Sequence, residues 1–256
     1  MKNVAVRLFA LTAALLIMGL GGCSADTPEA APPSASPQAE PAADARDALA
    51  GLAALGQDLK YAALYTLDVG DGAPRNVIAT VAKDGSWRVD IPNGALGGTT
   101  GVSVVRNANG VYQCTLSTPT NPVASVCVRV ADKGERVPRK YDPKVQRLFR
   151  QWLSVFTDRQ AALAVSAVQP LPGAQGSCYA VDSVSASLDA PVDVGIYCYS
   201  PEGLLTAARV EFGVLKLVNQ VDGPDTVPLP GPEVAGQPMG MNSPPPVVPP
   251  SLAPPA

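Results

Sequence analysis

The sequence predicts an α+β fold built on one curled antiparallel β-sheet of about ten strands, interrupted by helices. Three observations predict it. Short runs of strand formers follow one another across tight turns, so that neighbouring runs pair as hairpins. Within several runs the apolar residues alternate, as Trp87, Val89 and Ile91 alternate with Ser86, Arg88 and Asp90; one sheet face is therefore dry, and so many strands must curl to cover it. One stretch, residues 142–168, repeats its apolar residues at helical spacing instead.

Taken in order, residues 1–22 read as a secretion signal, with Lys2 and Arg7 ahead of an apolar run that is too short to span a bilayer. The ending Leu20-Gly21-Gly22-Cys23 resembles a bacterial lipobox, which makes Cys23 the expected lipidation site. The expected location is the extracytoplasmic face of the cell membrane, held by more than one acyl chain, each buried CH₂ contributing ~0.8 kcal/mol. Residues 23–43 form an Ala/Pro-rich tether after the anchor. Residues 223–256 read as a disordered Pro-rich tail without hydrophobic periodicity. One folded domain, residues 44–222, lies between them.

Within the domain, Leu49, Leu52, Leu55 and Leu59 keep helical spacing, with Gly51 and Gly56 weakening the helix by about 1 kcal/mol each. Strands are expected at 61–69, 76–82, 86–91, 102–106, 111–116 and 125–130, with Asp-Gly, Asn-Gly and proline-bearing turns between them. In 142–168, Asp142 suits an N-cap and Pro143 the first helical position. Val145, Leu148, Phe149, Trp152, Leu153 and Phe156 then make one apolar stripe. Thr157 and Gln160 resemble a capping box that opens a second helix through Val168. That stripe is either ordinary core or the lid of an apolar cavity. Four more strands follow, at 177–185, 192–199, 204–212 and 214–218.

Beyond Cys23, the four cysteines of an exported chain imply two disulfides, with three possible connectivities. Cys114 with Cys127 and Cys178 with Cys198 are favoured, because each pair is close in sequence and falls on neighbouring predicted strands. With no C-x-x-C and no histidine, neither a metal site nor a cofactor is implied. The same absence removes the histidine-based hydrolase mechanisms, and no phosphate-loop or nucleophile-elbow motif is present, so an enzyme is not expected. A net charge of −3 gives no support for nucleic-acid binding. The local exception is the basic run 133–150, which is either a solvated face or a surface that meets anionic headgroups.

The lipobox, the tether, the helix leading into 61–69, the hairpin Asp84-Gly85-Ser86-Trp87-Arg88-Val89-Asp90 and the hairpin Tyr199-Ser200-Pro201-Glu202-Gly203-Leu204-Leu205 together carry a likeness. Over about residues 49–218 the chain resembles the lipoprotein carriers of the LolA type, especially the actinobacterial LppX and LprG lipoproteins. The resemblance implies a half-barrel with helices covering its concave face, and a lipid or acyl-chain ligand enclosed there in transit across the envelope. Envelope transport proteins are then possible partners, and a monomer is expected. The family has no binding motif to carry over residue by residue. The residues best placed to line such a cavity are Trp87, Val89 and Ile91 on the sheet and Leu148, Phe149, Trp152 and Phe156 on the helix stripe. The alternative is a non-enzymatic sensing or protein-interaction module with the same fold, a filled core and a contact patch in the basic run.

Overall fold

A computed structural model describes residues 42–70, 72–119, 121–184 and 190–243, which fall within one compact unit. The expected signal, Cys23 anchor and most of the tether lie outside the described residues. Helix α1, Ala42–Asp58, leads into six strands: β1 Tyr61–Asp68, β2 Arg75–Val81, β3 Trp87–Ala95, β4 Thr100–Arg106, β5 Val111–Leu116 and β6 Cys127–Ala131. After a helical stretch containing α2, Gln151–Thr157, come five more: β7 Leu163–Val168, β8 Ser177–Ser183, β9 Gly195–Tyr199, β10 Leu205–Val210 and β11 Gly213–Asp222.

All the pairings between these strands are antiparallel, in the order β6-β5-β4-β3-β2-β1-β11-β10-β9-β8-β7. Two meanders, β1–β6 and β7–β11, therefore meet at a seam where the first strand pairs with the last, from Tyr61 opposite Asp222 to Asp68 opposite Val214. The sheet is open, with β6 and β7 at its edges. Alternation aims one set of side chains at the helices: Tyr61, Ala63, Tyr65 and Leu67 of β1 are buried while the residues between them are half-buried. Helix α1 packs on α2 and on β7. The result is the curled sheet with a helix-covered concave face.

The helical stretch departs from the expectation in two places. The predicted continuous helix breaks into a short 3-10 helix, Val145–Leu148, followed by α2. Asp142 is the reason. Its buried carboxylate does not cap a helix; it accepts the Lys144 backbone N–H at 2.8 Å, the Gln146 Nε2 and the Arg147 guanidinium. This knot holds Lys144 at φ +63°, a left-handed conformation that interrupts a helix. The second predicted helix is strand β7. Thr157 turns its hydroxyl back to the Ser154 carbonyl (3.0 Å), and the Gln160 N–H is taken by Asp158, so no capping box forms. The chain then extends, and β7 pairs along its length with β8, backbone pairing that outweighs a weak helical preference.

The predicted tail is also corrected. Residues 224–243 are laid along the domain as a strap. The backbone N–H groups of Lys83 and Asp84 donate to the carbonyls of Pro224 and Asp225, and that of Cys127 to Pro232 (2.8 Å). Further on, Leu96 and Gly97 donate to Gly240 and Met241. Val227 is buried in a cluster with Val105, Tyr112 and the Cys114–Cys127 disulfide. Composition argued for disorder because the segment has no periodicity, but an extended proline-rich strap needs none when the sheet supplies the apolar surface. Residues 244–256 lie outside the described residues.

Both disulfides form as favoured, Cys114–Cys127 across β5 and β6 and Cys178–Cys198 across β8 and β9, each with Cα atoms 4.0 Å apart. Both point away from the helices. The second is covered by Leu171 from the β7–β8 connection, as the first is covered by Val227.

Candidate functional site

The concave face is filled. Phe149 packs on Tyr65 with ring centroids 5.0 Å apart, Trp152 meets Tyr197 edge-on at 5.8 Å, and Phe156 meets Tyr197 at 5.1 Å. The seven residues expected to line a cavity, Trp87, Val89, Ile91, Leu148, Phe149, Trp152 and Phe156, are all buried in this one cluster. Trp152 has no exposed surface. The void left beside Leu148, Phe149 and Tyr199 is about 10 Å³, less than a ligand pocket by more than an order of magnitude.

One of the seven, Trp87, also borders open space. A cleft of about 410 Å³ lies where the C-terminal end of α1, the starts of β3 and β5, the end of β4, the loop after β6 and the start of α2 come together. Three arginines line it, Arg106 from β4, Arg136 from the loop and Arg150 just ahead of α2. Arg150 is half-buried and donates through Nη1 to the Gln57 carbonyl at 2.8 Å, closing the C-terminal end of α1 with a positive charge. Burial, with repulsion from Arg106 added, pulls the Arg150 guanidinium below its ordinary pKa. Among the lining residues Glu135 is the one carboxylate, and its Oε2 already accepts the Asp132 N–H at 3.0 Å.

Two lining side chains carry polar atoms without partners. Trp87 is 7% and Gln146 3% exposed, and neither the indole Nε1–H nor the amide Oε1 has a hydrogen bond. Leaving such an atom unsatisfied costs about 1–3 kcal/mol. Trp152 Nε1 and Tyr199 Oη are unpartnered too, but they sit in the packed core, where there is no room for a partner. Trp87 and Gln146 instead belong to the residues that line the cleft.

The basic run 133–150 is thereby divided. Lys144 pairs with Glu211 at 2.9 Å, Arg147 with Asp142, and Lys140 lies over the Tyr141 ring, 4.5 Å from its centroid. Only Arg136 and Arg150 of that run reach the cleft, joined by Arg106 from a strand. Arg106 and Gln57 went unflagged in the sequence because the fold alone brings positions 57, 106 and 150 together; the basic run and Trp87 were the signals that pointed to the area. Among the described residues no three histidine, cysteine or carboxylate side chains come together as a metal site, and no helix is long and apolar enough to cross a membrane.

No protein-family model matches the chain, and no curated protein does. Among solved structures it is similar to the crystal structure of MucB, at 14% identity and a TM-score of 0.42. The match covers 78% of this chain and 66% of that one, just under two thirds of its length. The half-barrel architecture itself rests on the strand order and register of this chain.

Proposed function

We propose that this chain is a lipid-anchored, non-enzymatic binding module of the cell envelope that keeps its half-barrel filled and takes its ligand in the cleft beside its helices. The observation that carries this reading is the contrast between the two spaces: about 10 Å³ in the aromatic interior against about 410 Å³ in the cleft. An acyl carrier with the same architecture would have to lift Phe149, Trp152 and Phe156 out of contact before cargo could enter. That would expose three aromatic side chains, each contributing a few kcal/mol of burial. Two disulfides fit an oxidising compartment, and Cys23 supplies the anchor. A partner protein of the envelope would then read the state of the cleft.

Organic extraction and mass spectrometry of the full chain, purified from its own envelope, test this. The expected result is a diacylglyceryl group on Cys23 and no stoichiometric free lipid. A stoichiometric acyl lipid that extracts apart from the anchor would overturn the filled-interior reading in favour of a carrier. Loss of palmitate labelling in Cys23→Ser checks the anchor separately.

A further inference from the structure

The chemistry of the cleft is specific enough to name a class of ligand. Three arginines line the cleft together with one carboxylate that is already engaged. Arg106 and Arg136 have no carboxylate partner among the described residues. Guanidinium groups bind planar or tetrahedral oxyanions in bidentate fashion. A monocarboxylate occupies one such fork, whereas a phosphate dianion offers three oxygens to several. Beside the arginines stand one buried donor without an acceptor, Trp87 Nε1, and one buried acceptor without a donor, Gln146 Oε1. A hydroxyl group satisfies either, because it both donates and accepts.

We propose that the cleft binds the phosphate ester of a polyol or sugar, with the phosphate on Arg106, Arg136 and Arg150 and hydroxyls on Trp87 Nε1 and Gln146 Oε1. The proposal rests on the reading of the cleft as the ligand's place. The same chemistry is found in a soluble sugar phosphate and in the headgroup of a glycerol- or inositol-based phospholipid.

Tryptophan emission of the full chain reads the site, since Trp87 borders the cleft and the only other tryptophan, Trp152, is sealed in the core. The probes are glucose 6-phosphate, glycerol 3-phosphate, and vesicles of phosphatidylcholine with and without phosphatidylinositol. Glucose, inorganic phosphate and citrate are the controls. A saturable response at least tenfold tighter than for any control is expected. It should vanish in Trp87→Phe and weaken at least tenfold in Arg106→Gln and in Arg136→Gln. Response to the soluble esters identifies a free ligand; response to phosphatidylinositol vesicles alone identifies a headgroup. Arg136 is exposed, so its variant tests the site without threatening the fold. Citrate binding as tightly as the esters, binding indifferent to both arginine variants, or no response to any probe would overturn the proposal. Silence from every probe together with an interior free of lipid would leave the filled-interior module standing and remove only the phosphate site.

Discussion

Two glycines five positions apart in α1 answer different demands. A methyl group on Gly51 would meet nothing within 4 Å, whereas on Gly56 it would stand 2.6 Å from the backbone oxygen of Gly203, in the β9–β10 turn. Gly203 itself has φ +87°. Gly51→Ala is therefore expected to stabilise the domain by about 0.5–1 kcal/mol, by helix propensity alone. Gly56→Ala should destabilise it despite the same gain, because the helix must move off the turn. Urea midpoints of the two variants check this. The sequence shows both glycines as helix weakeners and cannot separate them, since the difference lies in a turn about 150 residues away. Four tyrosines carry a second residue-scale expectation. Burial drives the phenols of Tyr61, Tyr65, Tyr197 and Tyr199 well above the ordinary value near 10. Above pH 10 the unfolded chain releases those protons while the fold retains them. Stability therefore holds below pH 10 and falls as pH rises beyond it, by up to about 1.4 kcal/mol per pH unit for each tyrosine. Denaturation midpoints between pH 9 and 11, read beside phenolate absorbance, check the slope.

At the scale of the element, the stripe from Val145 to Phe156 shows what periodicity reports and what it omits. All six stripe residues are buried, so the inward face was legible in their spacing. The backbone that carries them was not. The Asp142 carboxylate binds Gln146 and Arg147 side chains, a choice that residue type does not reveal. The edge of β8, absent from any local reading, turns 163–168 into a strand. Whether the stripe was core or lid depended on the residues facing it, and Tyr65 and Tyr197 fill that space from strands far along the chain. Trp152→Ala is accordingly expected to cost about 3–5 kcal/mol. Trp152→Glu should fail to fold, since it would bury a charge with no partner. A folded, soluble Trp152→Glu protein would instead favour a movable lid. Circular dichroism and hydrogen exchange distinguish the two.

Across the whole molecule, the hairpin order and both disulfide pairs followed from turn spacing and sequence proximity, while the site came from contacts between distant parts and the strap from surface matching. Prolines and the lack of a period made 223–256 resemble a free tail. Yet the strap covers the outer apolar cluster and pairs beside edge strand β6, where the Val234 N–H donates to the Cys127 carbonyl at 2.9 Å. A chain ending at Gly223 is expected to lose several degrees in Tm and to self-associate through the uncovered strand. Calorimetry and size-exclusion chromatography of the truncated protein measure both effects. The β1–β11 seam has a kinetic meaning as well. Each meander is wired locally, hairpin by hairpin, but within the sheet the two halves pair through strands at opposite ends of the domain, so a distant loop closure governs that pairing. Substitutions at Leu67 or Leu215, opposite each other across that seam, should slow folding, whereas substitutions in β6 or β7 should chiefly hasten unfolding. The fold is thus expected to form as two fast sheets with one slow zip between them.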